Sequence, residues 1–407
     1  MKRSIILIAT VSAVLLAVSM VCSCKSGVAT DDAPKITADD VIRLDGTFDE
    51  IFMESWEYIM LDDSNPDAIM ANVEGILFDD DMFFIMSGRY GNNNSQIKVF
   101  DRNGKYLHDI GHMGRARNEY IRICDWAIDI HSKEIIVFDN FARALKRYNY
   151  DGEYLGESPM PATEPAGGFI GEKFVKCQSD GSLMYQGGGI CIIPSYDFFF
   201  INSDGTFRSP LAMTEYKAYC EMDPYEFIKI AGDIGGITMT MCHSNILSDT
   251  TYLLRYLDNH IYKVTSDTAQ CLANMAFIPE IPKKVKYNFD NDDYDEYNGR
   301  SIPNHIVDMQ KYLYMWYYYD NAYLYEKSTS KMYSMSHDSL HISLPDLGAL
   351  TVCDNTIIGC ADDYSITHAL RRMDSPSYDH RYTPELEAFY RKAKNYGNTI
   401  IVMAHYK

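Results

Sequence analysis

One hairpin-forming pattern recurs along this chain and constrains its fold more than any other feature. Each copy is an apolar run followed by Asp or Asn, a spacer, Asn-Gly or Asp-Gly, a second spacer and an aromatic residue. The three clear copies are residues 97–107, 145–155 and 199–207. Asn-Gly and Asp-Gly tolerate the positive φ angles of tight turns whose twist matches paired strands, so each copy predicts a two-stranded ribbon. Ribbons repeated in this way indicate a radial or solenoid β architecture.

The spacing of the turns predicts the number of repeats. The clear copies recur at about the 40–50 residues of a four-stranded propeller blade. Weaker turn marks follow at residues 267–268 and 330–331, and a sixth unit spans residues 349–403. The wider spacing of the later marks predicts loop insertions, which we place at 214–237 and 279–304. We therefore predict an all-β fold, a six-bladed β-propeller of four-stranded antiparallel blades.

Two other segments have distinct patterns. Residues 312–319 are a nearly unbroken run of Tyr with Leu, Met and Trp. This run predicts a strand that is buried on both faces, although aromatic side chains also stack on sugar rings. Residues 384–395 predict a short amphipathic helix with Leu386, Phe389 and Tyr390 on one side.

The N-terminal part of the domain contains strands without a ribbon of their own. Residues 41–44 and 56–60 are short apolar segments of this kind. A closed ring needs its last blade to be completed by chain from the other end, and closure removes exposed sheet edges. We therefore expect the N-terminal strands to join the C-terminal blade and close the propeller.

The first residues have the features of an export signal. Lys2 and Arg3 precede the uncharged stretch 5–21, and a cysteine, Cys24, follows an aliphatic and two small residues. This order predicts a secretory signal, and its end resembles the lipobox of bacterial lipoproteins, in which the cysteine carries the lipid. An ordinary secretory signal or a membrane-spanning anchor is the alternative.

These boundaries divide the chain into three parts. We predict a lipoprotein signal peptide at 1–23, a tether at 24–39 and the propeller domain at 40–407. The predicted location is the cell envelope, with the protein anchored through lipid on Cys24. The small and basic residues at 25–27 favour the outer membrane with the domain facing the periplasm.

One segment after the first ribbon carries a family resemblance. Residues 109–120 read Asp-Ile-Gly-His-Met-Gly-Arg-Ala-Arg-Asn-Glu-Tyr. With the ribbon, this segment resembles six-bladed β-propeller lipoproteins of Gram-negative gut anaerobes that are related to NHL-repeat propellers. In that family the ribbon leads into Gly-x-x-Gly-x-Gly-Pro-Gly-Glu-Tyr, which Gly111, Gly114, Glu119 and Tyr120 match. Ala-Arg-Asn replaces the Gly-Pro-Gly. The resemblance implies the fold and export but little about activity.

The same segment holds the candidate ligand-binding residues, Arg115, Arg117, Glu119 and Tyr120. Two guanidinium groups beside a carboxylate and a phenol can bind an acidic or sugar-like ligand. Alternatively, the glycines permit a tight crossing between blades, while Glu119 and Tyr120 anchor the loop. Arg115 is the strongest functional candidate because the chain as a whole has a formal net charge of −20.

Metal binding is an alternative interpretation. Glu74-Gly75 loosely resembles a pair in six-bladed lactonases, in which the glutamate binds a divalent metal in the central channel, so calcium or zinc would be the cofactor. The acidic clusters at 79–81, 290–296 and 362–363 lack the spaced pattern of a calcium loop. The histidines, His337 and His341 among them, do not form a metal-binding helix motif. We expect no cofactor.

Charge and cysteine content exclude other classes. An acidic chain repels nucleic acid and anionic lipid, so we expect no nucleic-acid partner. The chain has no Cys-x-x-Cys pair of a zinc ribbon or thioredoxin-type site. Cys353 and Cys360 flank a predicted turn and could oxidise in an exported protein, but buried apolar packing is the simpler interpretation.

No catalytic motif stands out, which favours a binding protein over an enzyme. We expect an envelope-anchored binding or scaffold propeller that holds a glycan, peptide or envelope protein at one mouth of its channel. The alternative is a metal-dependent lactonase or lyase with Glu74 as a metal ligand.

Overall fold

The computed structural model describes residues 33–46, 48–70, 72–88, 95–139, 141–160, 173–186, 198–211, 241–254, 259–266, 268–278, 302–318, 322–335, 350–376, 384–394 and 396–407. Most of the regular structure in these residues is β-strand. The strands are, in chain order, β1 (Lys35–Ile36), β2 (Val41–Arg43), β3 (Met53–Met60), β4 (Val73–Asp79), β5 (Met82–Ser87), β6 (Gln96–Asp101), β7 (Tyr106–Ile110), β8 (Ile123–Asp129), β9 (Glu134–Asp139), β10 (Ala144–Asn149), β11 (Tyr154–Pro159), β12 (Lys173–Cys177), β13 (Leu183–Gln186), β14 (Phe198–Ile201), β15 (Phe207–Leu211), β16 (Met241–His243), β17 (Thr251–Leu254), β18 (His260–Val264), β19 (Ala269–Met275), β20 (Ile302–Asp308), β21 (Tyr312–Tyr318), β22 (Ala322–Glu326), β23 (Lys331–Met335), β24 (Leu350–Cys353), β25 (Thr356–Ala361) and β26 (Ile400–Tyr406). The helices are α1 (Phe48–Phe52), α2 (Asp363–Met373) and α3 (Pro384–Ala393), with 3₁₀ turns at Ala38–Asp40 and Pro66–Ala68.

The strands form small sheets in which chain neighbours pair antiparallel, the arrangement of a β-propeller. Five sheets have four strands: β4–β7, β8–β11, β12–β15, β17–β19 with β1, and β24–β26 with β3. The remaining sheet has six strands in the order β16-β20-β21-β22-β23-β2. The prediction of six four-stranded blades is therefore wrong in that form. Five four-stranded blades are present, and the other sheet gains a parallel strand at each edge.

The recurring sequence pattern forms the third and fourth strands of a sheet and the turn between them. In the first copy, Asp101 Oδ1 accepts the backbone N–H groups of Asn103 and Lys105 at 2.9 and 3.0 Å. Gly104 has a φ of +84°, whereas Asn103 is not among the residues with positive φ. The turn therefore depends on a glycine bulge rather than on a two-residue turn with two positive φ angles.

The glycine of each turn also sets the distance between sheets. A Cβ atom on Gly104 would overlap the carbonyl oxygen of Met60, in the fourth strand of the C-terminal sheet. A Cβ atom on Gly152 would lie 2.6 Å from the carbonyl oxygen of Asp109, and Gly205 is packed in the same way against Pro159. The repeated glycine thus encodes close packing of each turn on the preceding sheet, in addition to the turn itself.

The core consists of apolar layers between neighbouring sheets. Ile358 and Ile401 of the C-terminal sheet, for example, pack in one layer with Ile76 and Phe83 of the β4–β7 sheet. The layers join β24–β26 with β4–β7, β4–β7 with β8–β11, β8–β11 with β12–β15, β12–β15 with β17–β19, β17–β19 with β20–β23, and β20–β23 with β24–β26. Each of these sheets therefore contributes side chains from both faces to the core.

Two predicted elements have the expected burial. Tyr314 of β21 packs in the layer towards the C-terminal sheet, while Leu313 and Met315 pack in the layer towards β17–β19. The aromatic run is therefore a strand buried on both faces, as predicted. Helix α3 buries Leu386, Phe389 and Tyr390, which were predicted to share a side. Helix α2 was not predicted.

The N-terminal strands divide between two sheets. Strand β3 pairs antiparallel with β26, with Met60 opposite Ile400, so the segment 56–60 joins the C-terminal sheet as predicted. The prediction for residues 41–44 is wrong, because β2 pairs parallel with β23 of the preceding sheet. Strand β3 already pairs with β26, and β2 instead extends the preceding sheet beyond β23.

The first strand lies within the segment that was predicted as the tether. Strand β1, at the end of the segment 24–39, pairs parallel with β19. Residues 1–32, which include the predicted signal and Cys24, lie outside the described residues. Within the part that is described, no helix is both long enough and apolar enough to cross a bilayer.

Candidate ligand-binding loop

The loop 111–122 connects β7 to β8, and two glycines determine its path. Gly111 has a φ of +59°, and a Cβ atom on it would lie 2.7 Å from Cε1 of Tyr148. A Cβ atom on Gly114 would overlap the carboxylate of Glu119. Both glycines that match the family pattern are thus required by close packing within or beneath the loop.

Hydrogen bonds within the loop give it a defined shape. The N–H of Tyr120 donates to the His112 carbonyl at 3.0 Å, and the N–H of Gly114 donates to the Tyr120 carbonyl at 2.9 Å. Glu119 Oε2 accepts the backbone N–H of Ala116 at 2.7 Å. The Glu119 carboxylate therefore closes the tip of the loop by accepting a backbone donor.

A buried lysine holds the loop from below. Lys146 of β10 is only 4% exposed, and its Nζ donates to the carbonyl of Arg117 and to Glu157 Oε2, both at 2.9 Å. The same Nζ lies 5.7 Å from the centre of the Tyr154 ring. The Lys146 hydrogen bond and charge hold the pKa of the Glu157 carboxyl below its usual value. We call this arrangement the lysine clamp.

The preceding sheet contains the same lysine clamp. Lys98 of β6 donates to the carbonyl of Asp67, in the loop 61–72, and to Asp109 Oδ1 at 3.3 Å. Its Nζ lies 5.5 Å from the centre of the Tyr106 ring. In both copies the lysine comes from the third strand, and the aromatic ring and the carboxylate come from the fourth. The identical spacing of these residues in the first two ribbons is the sequence signal that could have predicted the clamp.

The four predicted ligand-binding residues separate into two pairs. Tyr120 is fully buried and packs edge-to-face on Tyr148, with ring centres 6.4 Å apart, and burial raises the pKa of its hydroxyl. Glu119 is partly buried and accepts a backbone donor. Arg115 and Arg117 are exposed. The loop thus presents two guanidinium groups to solvent, while the carboxylate and the phenol hold its shape.

Glu74 lies in a recurring irregularity of the first strands. The register of β4 against β5 shifts between Val73 and Gly75, so Glu74 is the extra residue of a bulge. Similar shifts occur near the start of β8, β12 and β20. A Cβ atom on Gly75 would lie 2.9 Å from Nε1 of Trp126, so packing accounts for the glycine. Among the described residues, no three His, Cys, Asp or Glu side chains are grouped to hold a metal. The lactonase alternative therefore has no support in this part of the chain.

A second polar cluster lies among the first strands of the sheets. Lys176 of β12 donates to the carbonyls of Ser248 and Thr250, and burial lowers the pKa of its amine to about 8. Asp308, at the end of β20, accepts Lys327, and burial raises the pKa of its carboxyl. No local pattern predicts the Lys176 contacts, because the residues that they join are 72 and 74 positions apart in the chain. The Lys176 hydrogen bonds fasten the segment after β16 to β12.

The remaining candidates have structural roles or lie outside the described residues. Asp79 Oδ2 accepts Lys133 Nζ at 2.7 Å and the Tyr150 hydroxyl at 2.6 Å. Asp362 caps α2 by accepting the N–H of Ser365 at 2.8 Å. The acidic run 290–296, His337 and His341 lie outside the described residues.

The two cysteines that flank a turn do not form a disulfide. Cys353 lies opposite Thr356 in the β24–β25 pair, whereas Cys360 lies farther along β25. Both thiols are free; Cys360 is buried and Cys353 is partly buried. Burial raises the pKa of Cys353 to about 11 and also raises that of Cys360. Both side chains pack in the layer between the C-terminal sheet and β4–β7.

Solved structures support the propeller fold. A Bacteroides fragilis protein described as exported matches with a TM-score of 0.61 and 17% identity, over 90% of this chain and 98% of its own. A member of the DUF4221 family from Bacteroides vulgatus matches with a TM-score of 0.51 and 11% identity, over 87% of this chain and 97% of its own. At these identities the likeness supports the fold alone. Among curated proteins, none matches the sequence.

A family match covers most of the domain. The profile described as "Domain of unknown function (DUF4934)" matches residues 45–405, which extend from just before α1 to the penultimate residue of β26. The chain therefore belongs to the DUF4934 family.

Proposed function

We propose that the protein is an envelope-anchored binding scaffold whose loop 111–122 holds an anionic group of a glycan, peptide or envelope-protein partner. The observation that carries this proposal is the pair of exposed arginines on a loop fixed by buried contacts. Guanidinium groups bind carboxylates through two parallel hydrogen bonds, which gives both strength and geometry.

The fixed backbone favours binding. Ordering a flexible loop on association costs free energy that is subtracted from affinity, so a loop that is already ordered binds more tightly. Arg117 carries its side chain into solvent while its own carbonyl accepts the buried Lys146. Asn118 is held similarly by the Tyr148 hydroxyl at 3.2 Å. The arginine side chains are thus displayed from a backbone that has little freedom left to lose.

We further propose that the six sheets are the six blades of a closed propeller. The six interlocking apolar layers and the pairing of β3 with β26 support this arrangement. Deleting residues 398–407 removes β26 from between β25 and β3, so we expect the truncated chain not to fold. A soluble truncation that melts cooperatively would contradict closure.

The envelope location rests on the N-terminal segment. The basic, apolar and cysteine-ended order of residues 2–24 supports export and lipid attachment at Cys24. The Bacteroides fragilis protein of similar fold is described as exported, which agrees with this proposal. We expect the chain to incorporate radiolabelled palmitate in a Gram-negative host and Cys24→Ala to abolish incorporation. Labelling that persists in Cys24→Ala would contradict attachment at this residue.

The binding role is tested with soluble polyanions. We expect polygalacturonate or polyglutamate to retard the native protein in affinity electrophoresis, and Arg115→Ala or Arg117→Ala to weaken binding by about 1–3 kcal/mol, the scale of a charge-assisted hydrogen bond. Lys105→Ala is the matched control, because it removes an exposed cation from a ribbon turn. Glu119→Gln keeps an acceptor for Ala116 and should retain binding. Equal retardation of every variant, or none of the native protein, would contradict the proposal.

A further inference from the structure

Two large apolar side chains are exposed in or near the loop 111–122. Phe141, in the connection between β9 and β10, is 62% exposed, and Ile121 is 36% exposed. Asp139 links their backbones: its Oδ2 accepts the N–H of Ile121 at 2.7 Å, and its Oδ1 accepts the N–H of Phe141 at 3.1 Å. The two connections therefore form one surface with a shared carboxylate beneath it.

The two connections carry four arginines, of which Arg115, Arg117 and Arg143 are exposed and Arg122 is partly buried. Arg115, Arg117 and Arg122 come from the loop 111–122, and Arg143 immediately precedes β10. In the described part of the chain none of the four forms an ion pair, whereas Arg147 of the same sheet pairs with Glu134 at 2.9 Å. We call Arg115, Arg117, Arg122, Arg143, Ile121 and Phe141 the arginine face.

The carboxylates nearest to these arginines are already occupied. Glu119 accepts the N–H of Ala116, and Asp139 accepts three backbone donors, including the N–H of Ala142 at 3.1 Å. Glu157 is bound to Lys146. Four arginines and Lys146 therefore lie near three carboxylates, which leaves the arginine face with a local excess of positive charge on a chain whose net charge is −20. Such a surface attracts an acidic partner.

We infer that the arginine face binds an acidic polypeptide segment that carries an apolar side chain beside its carboxylates. This inference rests on the proposed function and specifies its partner class. Arginines on the same two connections as an exposed aromatic ring have the composition of a protein interface, in which an apolar centre is rimmed by polar groups. The carboxylates here already accept backbone N–H groups or Lys146, so the arginines are the charged groups that face a partner.

The test measures binding of fluorescein-labelled peptides to the full chain by fluorescence anisotropy. The first peptide alternates Glu with Leu, the second replaces every Leu with Ser, and the third replaces every Glu with Lys. We expect the Glu-Leu peptide to bind more tightly than the Glu-Ser peptide, the Lys-Leu peptide not to bind, and added salt to weaken binding. Phe141→Ser and Arg117→Ala should each weaken it about tenfold. Leu107→Ser, which changes an exposed apolar residue on β7, and Lys105→Ala are the matched controls.

The outcomes separate this inference from the proposed function. Binding of polygalacturonate that depends on Arg115, together with no binding of the Glu-Leu peptide, would overturn the polypeptide inference and leave the binding proposal standing. Equal binding of the Glu-Leu and Glu-Ser peptides, unaffected by Phe141→Ser, would overturn the apolar contribution and with it the inference. Failure of every acidic probe to bind would overturn both.

Discussion

The loops 61–72 and 111–122 are supported in the same way, but their exposed side chains carry opposite charges. Each connects consecutive sheets, and each has a backbone carbonyl held by a lysine clamp, from Lys98 in one case and Lys146 in the other. The first loop exposes Asp63 and Asp67, whereas the second exposes Arg115 and Arg117. The clamp therefore belongs to the framework, because it recurs under loops of either charge. Specificity is then expected in the exposed side chains, which differ.

The two loops also differ in how the rest of the backbone is held. Asn398, just before β26, donates to the carbonyls of Asp62 and Ala68 at 2.9 and 3.0 Å. The loop 111–122 instead uses its own Glu119. The first loop therefore depends on the C-terminal strand, while the second is assembled almost entirely from residues 98–157. We therefore expect substitutions near the C-terminus to loosen the loop 61–72 more than the loop 111–122.

Removing either clamp lysine should have the largest effect. Lys98→Met and Lys146→Met each leave a carboxylate and a loop carbonyl without their buried donor, so we expect each to lower the free energy of unfolding by about 3–5 kcal/mol. Urea denaturation of the full chain measures this loss. Lys105→Met, at an exposed position, should change stability little. If only one of the two lysines mattered, the equivalence of the two clamps would be refuted.

The ribbon glycines should come next. Gly104→Ala and Gly152→Ala place a side chain at positive φ and against a carbonyl oxygen of the preceding sheet, so we expect each to destabilise the fold by about 1–3 kcal/mol. Thermal unfolding provides the measurement. Gly397→Ala is the control, because its Cβ atom would lie 3.6 Å from Asp63, an ordinary contact. Similar losses at 397 and at the ribbon turns would show that sheet packing is not the cause.

A smaller effect on the free energy of unfolding, one that depends on pH, is expected for the ion pair of Lys146 with Glu157. Lys146 lowers the pKa of Glu157, so this carboxylate stabilises the fold above its usual pKa of 4.5, and the contribution is lost as the pH falls through the lowered value. We expect Glu157→Gln to be less stable than the native chain at pH 7 and to approach it below about pH 4. Urea midpoints at both pH values give the comparison. A difference that is constant with pH would indicate that the ion pair contributes nothing.

Much of the framework could be predicted because it repeats locally. The turn residues Asp101 and Gly104 encode a hairpin through contacts a few positions apart, and helix α3 follows from the spacing of its apolar residues. Asp180-Gly181 has the same turn signal, and Gly181 has a φ of +77°, although no turn was predicted there. Helix α2 was not predicted because its capping residue, Asp362, is followed by Asp363, and such an acidic pair is also typical of a solvated loop.

The rest depends on contacts between distant parts of the chain. The parallel pairing of β2 with β23 cannot be distinguished in sequence from pairing with β26, since either edge accepts a short apolar strand. In the loop, composition alone placed Tyr120 beside the arginines as a ligand-binding residue. Only the packing on Tyr148 assigns its ring to the core. No local pattern places Phe141 beside the loop, because the two connections meet through Asp139, which accepts backbone donors from both.

The most direct test of the account converts the charge of the basic loop to that of the acidic loop. The central claim is that buried clamps hold the loop while exposed arginines bind the partner. We expect the double variant Arg115→Asp/Arg117→Asp to unfold within about 0.5 kcal/mol of the native chain, as exposed substitutions usually do. Its binding of polyglutamate should be lost. A variant that unfolds much more easily, or that binds polyglutamate like the native chain, would contradict the claim.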